Sequence, residues 1–132
     1  MRQILLWIWQ APQHILGLIL LLYYGRPKPI SWGGYQFYVA QRMPSGISLG
    51  NYIILNEWFS LTAVEHEHGH SIQSRYLGPL YLIVIGLPSL LGNIYDRIAH
   101  KNWSYKDSCK WYYNQPWEKW ADKLGGVDRS NI

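Results

Sequence analysis

Two long stretches of this chain carry no charge. The first runs from residue 3 to residue 25, and its portion from Ile4 to Tyr24 is long enough to cross a bilayer as a helix. Gln10, Pro12, Gln13 and His14 fall near its middle, where a spanning helix would be deepest and its polar groups unsatisfied. The pattern therefore predicts that the apolar segment 1–25 forms two short helices, buried or lying on a surface, that meet near Pro12. Contact with a membrane stays open. The segment lacks the small-residue site that ends a secretory signal, so it is not read as a removable leader. The second stretch, Pro79 to Ile94, is punctuated by Gly86, Pro88 and Gly92, which predicts a broken, buried helix that contributes to the core.

Between these stretches the periodicity changes. Tyr35 to Val39 is rich in strand formers, Pro44, Ser45 and Gly46 supply turn chemistry, and Ile47 to Leu55 forms a second extended run, so a β-hairpin is expected. Gly46 and Gly50 bracket the start of that second run, where a glycine often marks a bulge or a close backbone approach. Ser60 to Tyr76 reads as a helix, with Thr62 and Glu65 as a capping box and Gly78 with Pro79 as its stop. A last helix is expected from Asn114 as N-cap, with Pro116 in its first turn and Gly125 and Gly126 at its end. Trp117, Trp120, Ala121 and Leu124 give that helix one apolar face. The fold class that follows is α+β, a single domain over 1–132 with the hairpin or an edge strand packed on the Ser60–Tyr76 helix. The chain shows no internal repeat.

Composition narrows the options. At 132 residues the chain has room for one core. Its formal charge of +4 comes from Lys and Arg scattered singly, without the stripe that a nucleic-acid groove requires, so no nucleic-acid partner is expected. Cys109 is the sole cysteine, which excludes an internal disulfide and a cysteine metal cage and reads as an inert thiol. The compartment is left between cytoplasm and membrane. Eight Trp and eleven Tyr suit a core edge, a cleft or a membrane interface.

The chemistry concentrates in Glu65-His66-Glu67-His68-Gly69-His70, which contains H-E-x-x-H. On a helix, His66 and His70 share one face and can each offer a nitrogen to one zinc ion at about 2.0–2.1 Å. Glu67 lies about 100° round the helix, too offset to ligate but able to reach a water at the metal. Zinc lowers the pKa of such a water towards 7, and a carboxylate can take its proton and pass it to a leaving amine. His68 faces away and is expected in solvent, and His14 outside the site. The bland alternative is a histidine-rich solvated helix face. Two histidines and an open position require another protein ligand, and Glu118 with Asp122 lie four apart on one side of the last helix. His100, Tyr105, Tyr112 and Tyr113 are candidate donors to an oxyanion, none of them singled out.

His66-Glu67-x-x-His70 followed by Glu118-x-x-x-Asp122 resembles the gluzincin metallopeptidases, the thermolysin-like clan. That resemblance implies a zincin-like fold, Glu118 as the third zinc ligand and Asp122 as the group that hydrogen-bonds a ligating histidine. A wider resemblance, over Trp9 to Gln13 with Leu16-Gly17, Gly46 to Gly50, His66 to Ser74, Gly78 to Leu82 and Gly86 to Ser89, is to metallopeptidase domains at the C-termini of bacterial RHS-repeat proteins. It implies a bacterial origin, although this chain stands without a repeat shell. In zincins a strand ahead of the motif helix pairs with extended substrate, a task that Ile47 to Leu55 could perform. The leading expectation is one zinc ion held by His66, His70 and Glu118, with Glu67 as base, hydrolysing a peptide or protein substrate. Its rivals are a non-catalytic, membrane-associated zinc-binding protein and a membrane-embedded protease whose metal helix sits at the membrane boundary.

Overall fold

A computed structural model describes residues 1–129, so the end of the domain expected over 1–132 lies outside the described residues. The molecule is α+β, with six α-helices among the described residues and a four-stranded mixed sheet. The chain opens with helices α1 (Arg2–Trp9) and α2 (Ala11–Tyr23), bent by 82° at Gln10, with Pro12 in the first turn of α2 where it loses no helical hydrogen bond. The polar residues that interrupt the apolar pattern are the buried anchor of this elbow. Ser74 Oγ donates to Gln10 Oε1 at 2.6 Å, and Gln13 Nε2 donates to Ser74 Oγ at 2.8 Å and to the Gly78 carbonyl at 2.7 Å.

Strands β1 (Pro29–Trp32), β2 (Tyr35–Val39), β3 (Ile47–Leu49) and β4 (Tyr52–Leu55) form a sheet in the order β1-β2-β4-β3. The expected hairpin between Tyr35–Val39 and Ile47–Leu55 does not form. The second run folds on itself instead: Gly50, at φ 69°, turns β3 back onto β4, and β4 then lies parallel to β2 with Tyr38 opposite Ile54. The partner of β2 in a true hairpin is β1, joined to it through Gly33 and Gly34, both at positive φ. Ile53, Ile54 and Leu55 are all buried because β4 is covered on both faces. Ile54 packs with Leu21, Ala40 and Met43, while Ile53 and Leu55 pack with Phe37 and Val64.

Helix α3 (Leu61–Leu77) follows, capped by Ser60, whose Oγ accepts from the Ala63 amide, so the Thr62–Glu65 capping box lies two residues too late. A 3-10 turn (Gly78–Leu80) and a π-helical stretch (Leu82–Gly86) lead into α4 (Leu87–Ala99). The expectation that this segment builds the core is overturned: 6% of Leu82–Ala99 is buried, while Tyr81 and Ile85 are the residues that pack inward. Helix α5 (Tyr105–Tyr113) was not anticipated, although Ser104 caps it by accepting from the Asp107 amide. Asn114 ends α5 rather than starting the next helix. The N-cap position of α6 (Pro116–Gly125) is Gln115, because Pro116 takes the first helical position.

Candidate metal centre

Helix α3 is unusual in what it buries: apart from Val64 and Gly69, its buried residues are His66, Glu67, His70, Ser71, Gln73 and Ser74. Buried polar groups on this scale require partners, and α6 supplies most of them. The two helices touch backbone to backbone. A Cβ at Gly69 would lie 1.9 Å from the Ala121 carbonyl oxygen, and one at Gly125 would lie 2.0 Å from the Glu65 carbonyl oxygen, so only glycine permits the crossing at either point.

That crossing brings Glu118 beneath both histidines. Its Oε2 lies 3.0 Å from His66 Nε2 and 3.0 Å from His70 Nε2, and all three side chains are buried. The Nδ1 atoms point outward to acceptors. His66 Nδ1 donates to Asp122 Oδ1 at 2.6 Å, and His70 Nδ1 donates to Gln73 Oε1 at 2.7 Å. The orientation of the Gln73 amide follows from its other bond, in which Nε2 donates to the Trp117 carbonyl at 2.9 Å. With both Nδ1 protons committed, neutral rings would turn two Nε2 lone pairs and a carboxylate oxygen towards one buried point. Such a cluster requires positive charge at its centre, either added protons or a metal ion. Ligand atoms of His66, His70 and Glu118 lie within 4.8 Å of one another, and these residues could hold a metal ion. Two imidazoles and a carboxylate form the donor set of a borderline divalent cation.

The charges record the same tension. Burial opposes protonation of His66, but hydrogen bonds to Asp122 and Glu118 and the negative charge of Glu67 outweigh it and raise its pKa to about 9. Burial would raise Glu118, yet its bonds to the two histidines hold it well below the usual carboxylate range. Glu67 behaves oppositely: desolvation raises its pKa, and the nearby histidines only partly offset that.

Around this group lies a cleft of about 590 Å³, lined by His66, Glu67 and His70 on its floor and by residues of β3 and α4 on its walls. A Cβ at Gly46 would stand 3.0 Å from Glu67 Oε1, so this glycine leaves room beside the carboxylate. Strand β3 is an edge strand and borders the cleft, and its Ser48 carbonyl accepts from Tyr81 OH at 2.9 Å.

The expected ligands, base and supporting acid fall in this assembly: His66, His70 and Glu118 converge, Glu67 faces the cleft, and Asp122 holds His66. His68 stands apart, half-buried against Tyr35 rather than solvated, and His14 is buried between Trp7 and Tyr52. Of the four candidate oxyanion donors, Tyr112 and Tyr113 line the cleft. His100 instead stacks on Trp103 and Tyr105 is exposed. Three contributors were missed. Gln73 is one turn beyond His70, a spacing that could have suggested it. Ser89 donates to Glu118 Oε1 and meets Tyr112 OH at 2.8 Å, while Arg129 donates to both Asp122 oxygens and lies over the Tyr113 ring. Ser89 and Arg129 reach the site through tertiary folding, for which the sequence carries no local signal. No family model, curated protein or solved structure matches this chain.

Proposed function

We propose that this chain is a zinc-dependent metallopeptidase of the gluzincin type, with His66, His70 and Glu118 as ligands and Glu67 as general base. The observation that carries the reading is the convergence of two Nε2 atoms and one carboxylate oxygen on a point that borders an open cleft. Three protein donors beside a cleft match the pattern of a catalytic zinc site, whereas structural zinc is usually closed by four. This favours the enzyme over the purely zinc-binding alternative.

Zinc held there supplies Lewis acidity towards water and the substrate carbonyl. The protein does the rest. Asp122 and Gln73 fix the histidine tautomers so that Nε2 faces inward, and Arg129 and Ser89 steady Asp122 and Glu118 in turn. The Glu67 carboxylate, with its basicity raised by burial, accepts the proton of the attacking water and returns it to the leaving nitrogen, a role worth roughly 10²–10⁴-fold. The edge position of β3 beside the cleft gives an extended peptide a backbone to pair with, and Tyr112 and Tyr113 line the same cleft as hydroxyl donors to a developing oxyanion. Glu67→Gln tests the assignment: the variant should bind metal as the wild type does and lose peptide hydrolysis by at least about 10²-fold.

A further inference from the structure

Most large apolar side chains that stand exposed belong to α1, α2 and the segment from Leu80 to Ile98. We infer that a lipid bilayer covers this surface, so that the cleft holding the histidine cluster opens at a membrane.

Three observations select lipid over a protein partner or a second copy. The first is the extent of the apolar surface. Ile83, Leu87, Leu90, Leu91, Ile94 and Ile98 recur at three- and four-residue intervals along one exposed face of the helix, Ile85 is the single buried residue of Leu82–Ala99, and Ile15, Ile19 and Leu22 give α2 an exposed apolar face as well. Two such faces on so small a domain leave more apolar surface than one docking stripe, which fits helices seated against an apolar solvent. The second is length: those 18 residues rise about 27 Å, close to the roughly 30 Å of a bilayer's hydrocarbon core. The third is where charge and aromatic rings fall. No charged residue occurs in residues 3–25 or 76–95, and the cations stand at the edges, with Arg26 and Lys28 beyond α2 and Arg97 and Lys101 at the end of α4. Asp96, the one acid there, is paired with His100 at 2.8 Å. Tyr23 and Tyr24 finish α2, and Tyr95 and Trp103 gather round His100, so each apolar helix ends in aromatic rings beside cations, the residues enriched where protein meets anionic headgroups.

The surface and the cleft are continuous. Leu16 of α2 and Leu87, Leu90 and Ile94 of α4 are exposed and line the cleft as well. One corollary rests on the peptidase reading: the substrates of such a cleft are apolar or membrane-tethered peptide segments.

The test is flotation of the full chain with vesicles of equimolar phosphatidylcholine and phosphatidylglycerol. It requires neither metal nor turnover, so it can fail independently of the peptidase reading. The wild type should float and stay bound through a high-salt wash, while Ile83→Asp with Leu91→Asp should lower partitioning by at least about tenfold. Ile19→Asp with Leu22→Asp on α2 should do the same, and carries the test should the first pair not fold. A wild type that remains in the aqueous fraction, as monomer or as stable dimer, overturns the inference, as does a folded variant that floats as well as the wild type.

Discussion

His66 and Asp122 are joined by a 2.6 Å hydrogen bond across the α3–α6 crossing, and Arg129 clamps the same aspartate from its other side. The bond fixes which ring nitrogen of His66 carries the proton and so which one is free for a metal. Asp122→Asn should therefore weaken zinc affinity about 10–100-fold while leaving the three ligands in place. Competition with a chromophoric chelator measures this, and unchanged affinity would mean that Asp122 serves only the helix contact.

Gln73 does for His70 what Asp122 does for His66. Gln73→Leu leaves the buried His70 Nδ1 without its acceptor and removes the bond that ties α3 to the Trp117 carbonyl, so a stability loss of about 1–3 kcal/mol should accompany weaker metal binding. Thermal unfolding in the presence and absence of zinc separates the two effects.

The glycines at the crossing set the depth of the site. Gly69→Ala drives a methyl group into the Ala121 backbone carbonyl, which cannot move without displacing α6 and Glu118. The expected cost is about 3 kcal/mol in denaturant unfolding, together with reduced zinc affinity. Gly92, whose nearest neighbours stand at 3.9 Å, should accept alanine with little change and serves as the control.

Proton and metal compete for His66. Its pKa in the folded, metal-free protein is raised from 6.5 to about 9, so its contribution to stability is fully present below about pH 6.5 and is lost as pH rises towards 9. Over the same window a binding metal must displace that proton. Zinc affinity should climb with pH, by up to about tenfold per unit, and level off above pH 9. Calorimetry in buffers of different ionisation enthalpy should record a released proton at pH 7 and none above the plateau.

Much of the site was legible because the chemistry is written in local spacings. The four-residue intervals of His66–His70 and Glu118–Asp122 each place two side chains on one helix face, and both pairs occupy the same cluster. The strands were harder. Periodicity marked Ile47–Leu55 as extended, but whether β2 pairs with β3, with β4 or with β1 depends on the turns, and Gly33-Gly34 and Gly50 carried that information more directly than Pro44-Ser45-Gly46. The segment Pro79–Ile94 was assigned to the core because apolar residues usually go inside. Nothing in its composition distinguishes a core from lipid, and only the packing reveals that it lies outside. Gln10, Gln13 and His14 mark in the sequence the break between two short helices, which the structure has as an 82° bend, but the pattern carries no sign that Gln10 and Gln13 also dock the elbow on Ser74 and Gly78.

The most direct test of the central claim is elemental analysis of untagged protein, wild type beside Glu118→Ala and Glu118→Gln. About one zinc per chain in the wild type, lost from both folded variants, is the predicted result. A wild type without bound metal, or variants that retain it at the same level, would contradict the assignment of His66, His70 and Glu118 as a metal centre.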